Sequence, residues 1–139
     1  MDFTDVETAA ERACHRLVVA YTHLIDGGRA ADVADLFAED GVWSAGKIRY
    51  EGREQIRAAF AERQALDRTS RHVCTNIGID VVDADNATGL VYLTLYRGDG
   101  PGPHPAIPDL VGEYRDRFVR TDEGWRFATR TAAAAFERP

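Results

Sequence analysis

Near residue 66 the spacing of apolar side chains changes from the three-to-four-residue repeat of a helix to alternation. That change limits what the chain can fold into. Ahead of it, Val6, Ala10, Ala13, Leu17, Tyr21 and Leu24 recur at helical spacing. Thr4 and Glu7 are set as a capping box, and Gly27-Gly28 supplies a stop, so a first helix is expected from about Asp5 to Asp26. A second helix is expected over Ala30–Ala38, with Val33, Leu36 and Phe37 as its stripe and Asp40-Gly41 as its break. Val42–Ser44 and Ile48–Tyr50 flank the turn Ala45-Gly46-Lys47 as a short hairpin, and a third amphipathic helix is expected from Gly52 to about Leu66.

Beyond the change, alternation marks strands over Arg71–Val82, Ala87–Arg97, Leu110–Arg120 and Trp125–Phe136. The 98–109 segment between the second and third of these holds four of the five prolines. It must be a loop, long enough either to cover a site or to be a plain surface excursion. Helices first and a long antiparallel meander afterwards is the order of an α+β fold with helices packed on one face of a sheet. At 139 residues with no repeat, residues 1–139 are read as one domain.

Charge narrows the partners. With 17 basic against 23 acidic residues, a net charge of −6 and no basic run, the chain is a poor match for nucleic acid. No apolar stretch nears the roughly 20 residues of a membrane span, and the acidic start lacks a secretory pattern, so a cytoplasmic protein is expected. Cys14 and Cys74 form no metal-type spacing, and neither the four histidines nor the acidic residues cluster as zinc or calcium ligands do. Neither a metal nor a cofactor is expected.

The order helix, helix, hairpin, helix, meander resembles the NTF2-like superfamily. "YTHLIDGGRAADVADLFAEDGVW", "RHVCTN" and "GEYRDRFVRTDEGWRFATR" resemble, respectively, the helical signature, first long strand and closing hairpin of its SnoaL-like branch. The resemblance implies a cone: three N-terminal helices on a highly curved antiparallel sheet, enclosing a pocket for a small hydrophobic molecule. It also implies a site of the scytalone dehydratase and bile-acid dehydratase type, in which Tyr21, Asp26 and His72 occupy the positions of the Tyr, Asp and His. Where those enzymes carry a second acid or base on the next strand, this chain has Thr94, Leu95 and Tyr96. The ketosteroid isomerase base is replaced by Ala45, and Tyr114-Arg115-Asp116 departs from the limonene epoxide hydrolase pattern. The reaction classes left are dehydratase, isomerase or cyclase, on a polyketide-like or steroid-like substrate. A non-catalytic binding or assembly domain is the alternative.

Within that frame His72, Cys74 and Asn76 fall on one face of their strand and Val73, Ile77, Ile79 and Val81 on the other. The first face is assigned to the pocket, with Asn76, Trp43, Tyr50, Tyr92, Tyr96 and Tyr114 as candidate substrate contacts. The second is assigned to an apolar outer surface that joins copies as a homodimer or homotrimer. A histidine suits proton movement at neutral pH, and Asp26 at the unfavourable end of its helix is a natural partner for it. Asp116 and Arg130 on neighbouring strands are read as a structural ion pair.

Overall fold

The computed structural model describes residues 2–139. Helix α1 (Phe3–Asp26) begins two residues earlier than the capping box suggests: Asp2 is the cap, its carboxylate accepting the Asp5 amide at 3.0 Å. The helix closes at Gly27, whose amide donates to the His23 carbonyl, and Gly28 takes a positive φ of 84°. The expected second α-helix is instead a 3-10 segment, Ala30–Leu36, and the chain is already strand β1 (Phe37–Ala45) where helix was expected at Phe37 and Ala38. The stripe Val33, Phe37 is buried as expected, but a tight connection between α1 and β1 shortens the segment that buries it.

Strand β2 (Ile48–Glu51) completes a hairpin with β1, and helix α2 (Arg53–Ala65) follows. The meander is β3 (Arg68–Val81), β4 (Asn86–Asp99), β5 (Leu110–Thr121) and β6 (Gly124–Glu137). All six strands form one sheet in the order β2-β1-β6-β5-β4-β3. The sheet is mixed rather than antiparallel: β1 runs parallel to β6, pairing Trp43 with Arg130. Alternation in a sequence carries no strand direction, so the parallel contact was not foreseeable. Tyr21, Val18 and Leu17 of α1, Phe37, and Ile56 and Phe60 of α2 pack against Val91, Leu93, Tyr114, Phe118 and Phe127 to form the core.

A bulge between Thr75 and Gly78 corrects the facing of β3. Asn76 sits in it with φ +50°, a conformation an asparagine tolerates better than most side chains. Before the bulge Ser70, His72 and Cys74 face inward; after it the parity flips, and Ile77 and Ile79 join the core. The apolar outer face expected from Ile77, Ile79 and Val81 is therefore absent. The outer surface is built instead by two rungs across the meander, Val73-Thr94-Val111-Phe136 and Thr75-Tyr92-Glu113-Ala133. The 100–109 loop folds back onto the same outer side, where His104 packs on Gly98, and Asp109 binds Arg97 and Arg138.

Candidate active site

β3 is an edge strand, so alternate amides along its free margin lack a strand partner. At His72 that amide is taken by the last residue of α1: the His72 N–H donates to Asp26 Oδ2 at 2.9 Å. The same carboxylate meets the ring, with His72 Nδ1 2.7 Å from Asp26 Oδ1, and accepts the Ser70 hydroxyl on Oδ1 at 2.8 Å. Both side chains are mostly buried, 11% exposed for His72 and 12% for Asp26. Burial pushes the Asp26 carboxyl up, but the ring and amide of His72, the charge of the imidazole and the Ser70 hydroxyl outweigh it. The net effect holds Asp26 below its usual range. An ionised carboxylate only accepts, so Nδ1 donates, and in the neutral ring the lone pair is on Nε2. That is the tautomer a general base requires.

Tyr21, the third residue expected here, points elsewhere. Its ring lies edge-on to Tyr114, Phe60 and Phe127, and its hydroxyl accepts the Trp43 indole N–H at 3.0 Å. Five residues along a helix from Asp26 it emerges on a different face, into the centre of the cone rather than toward β3. Burial raises its phenol above the usual range, against the opposing charge of Arg130.

The centre of the cone is occupied by a charge that periodicity suggested only as a structural pair. Arg130 is fully buried and bonds Asp116 through Nε (2.9 Å) and Nη2 (3.2 Å). Its guanidinium carbon lies 3.6 Å from the Tyr114 ring centroid and 4.3 Å from that of Tyr21. Desolvation opposes its charge, yet Asp116 and the two phenols hold it firmly protonated. Nη1 has no hydrogen-bond partner. The register signal was present in the sequence; the burial was not.

The remaining expected contacts divide. Trp43 stacks on Tyr50 at 5.5 Å beside the Tyr21 hydroxyl, and Tyr114 is buried under Arg130. Three others stand away from the dyad. Tyr92 is 48% exposed on the outer face, Tyr96 lines a cleft of about 240 Å³ beneath the 102–106 loop, and Asn76 is exposed at the bulge. An open cleft of about 750 Å³ lies between 38–40 and 121–123; His72 lines neither cleft. The loop thus covers the outer side of the sheet rather than His72. Among the described residues no group of three or more His, Cys, Asp or Glu side chains could hold a metal ion. Nor is any described helix long and apolar enough to cross a membrane.

One mixed, curved six-stranded sheet with helices packed on one face is the architecture of a class of small-molecule-binding domains. The chain belongs to the SnoaL-like domain family, whose model matches residues 6–131. In structure it is similar to a candidate scytalone dehydratase from Novosphingobium aromaticivorans DSM 12444 (TM-score 0.85, 24% identity, 98% of this chain and 91% of that one). It is also similar to a candidate aromatic ring hydroxylase from N. aromaticivorans (0.79, 26%, 91% and 89%). A hexachlorocyclohexane dehydrochlorinase shares the fold as well (0.78, 17%, 95% and 89%). No curated protein matches the chain significantly in sequence.

Proposed function

We propose that the chain is a small-molecule enzyme in which His72 and Asp26 move a proton on a hydrophobic hydroxylated or carbonyl compound, by dehydration, isomerisation or cyclisation. The observation that carries this reading is the 2.7 Å contact between His72 Nδ1 and an Asp26 carboxylate held ionised at the end of α1. In such a site Nε2 removes a proton from carbon next to a carbonyl or beside a leaving hydroxyl, and Asp26 stabilises the imidazolium that forms. The imidazolium then returns the proton to the departing oxygen or to a second carbon. The candidate dehydratase and the dehydrochlorinase among the structural neighbours are named for eliminations, which agrees with this chemistry. The chemistry needs no cofactor.

The test is proton abstraction itself. Aryl and alicyclic ketones are incubated with the protein in deuterated buffer, and exchange at the carbon next to the carbonyl is followed by NMR. His72→Ala should slow exchange on the order of 100-fold or more; equal rates in variant and wild type would remove the catalytic reading. A second reading, a binding or assembly domain without chemistry, is favoured by the cone centre being filled by Tyr21, Tyr114 and Arg130. It predicts ketone binding with no exchange above buffer. Either reading is compatible with a homodimer or homotrimer joined through the outer face, where Val73, Tyr92 and Phe136 are exposed.

A further inference from the structure

Asp26 is held from behind by residues that the proton-transfer proposal does not use. Arg63, in the last turn of α2, donates from Nη2 to Ser70 Oγ at 2.9 Å, and Ser70 Oγ in turn lies 2.8 Å from Asp26 Oδ1. The direction of each bond is fixed by chemistry. A guanidinium only donates, so the serine oxygen must accept from it. A carboxylate only accepts, so the serine proton must go to Asp26. The chain therefore reads Arg63 to Ser70 to Asp26, with His72 donating into the same carboxylate from the other side. Ser70 spends its proton on Asp26 and is no nucleophile. The order Ser-x-His on β3 places both donors on its inward face, and α1 and α2 supply the carboxylate and the guanidinium.

We infer that Arg63 and Ser70 are positioning residues of the dyad: through the serine hydroxyl the guanidinium sets the rotation of the Asp26 carboxylate, so that His72 carries its proton on Nδ1 and presents Nε2. The inference rests on reading His72 as the proton carrier, and the geometry says why a relay is needed. Rotation about the bond to a carboxylate is soft, and a guanidinium this close would otherwise take the carboxylate for itself. Ser70 stands between them, satisfies Arg63 and returns one hydrogen bond to Oδ1, leaving the rest of that oxygen to the imidazole. Arg63 also faces Arg68 and Arg97 as well as Asp26; burial and those two like charges pull it down, so it gains from an acceptor that does not draw Asp26 off the ring. With Ser70 removed, Arg63 loses the acceptor that stands between it and the Asp26 carboxylate.

The test reads the ring nitrogens of His72 and needs no substrate. The full chain is labelled with [15N]histidine, and its nitrogen signals are recorded about two pH units above the ordinary imidazole value of roughly 6.5. Wild type, S70A, S70T, R63M, R63K and D26N are compared, with His72→Ala assigning the signals. Wild type, S70T and R63K should show a pyrrole-like Nδ1 and a pyridine-like Nε2. S70A and R63M should lose that single-tautomer signature, their two signals converging as in D26N, with thermal unfolding still cooperative. If S70A and R63M keep the wild-type signals while D26N loses them, the relay is structural packing and the inference falls. Because no turnover is measured, a failed ketone-exchange test leaves this result standing, and the reverse also holds. Should S70A not fold, R63M against R63K decides by the same signals.

Discussion

Asp26 makes three hydrogen bonds with one carboxylate, and each favours its charged form. A carboxyl that titrates lower in the folded chain than in the unfolded one contributes stability that is whole above the unfolded value, 3.8 for an ordinary aspartate. That contribution drains away as pH falls through the lower folded value. Asp26→Asn should therefore flatten the loss of stability as pH falls below the ordinary aspartate value of 3.8, as urea unfolding at stepped pH would show. The pair at the cone centre behaves differently. Arg130 and Asp116 are both fully buried, so Asp116→Asn leaves a guanidinium without its counter-charge in the packed interior. A loss of about 3–5 kcal/mol is expected by denaturant unfolding, much larger than for an exposed pair such as Arg49–Glu51.

At the scale of elements, the bulge in β3 decides more than its size suggests. Asn76 alone holds a left-handed conformation there, and the inserted residue turns Ile77 and Ile79 into the core. Asn76→Gly should be tolerated to within a few tenths of a kcal/mol, and Asn76→Val should cost about 1–3 kcal/mol, since a β-branched side chain is strained at positive φ. Thermal unfolding of the two variants separates them. This element also marks what the sequence could say. The change of period near residue 66 made the meander and α2 legible almost to their ends, and the position of His72 opposite Asp26 was legible through the helix signature and the RHVCTN strand. Period-two counting could not reveal the bulge, because one extra residue reverses every later assignment. The placements of Asn76 and of the outer face failed there. Arg63 and Ser70 escaped notice for another reason: a bond between the end of α2 and β3 is a product of packing, with no local pattern to announce it. Tyr21 was a helical residue whose five-residue offset from Asp26 already set the two on different faces.

The molecule as a whole joins two kinds of interior. Its middle is a packed aromatic core around one buried cation, and its margin along β3 is where ionisable groups meet partial solvent. The proposed chemistry belongs to the margin, and the stability of the whole belongs to the middle. The two are linked by α1, which contributes Tyr21 to one and Asp26 to the other. The bond from Asp26 to the main chain of His72 has a further effect on how molecules meet each other in concentrated solution. It closes an otherwise vacant backbone donor on the outermost long strand, and so denies a docking rung to the strands of neighbouring molecules. Asp26→Leu should consequently precipitate or form fibrillar material on storage at concentrations where His72→Ala stays clear by light scattering, for the same aspartate that serves the imidazole also keeps that strand from recruiting another chain.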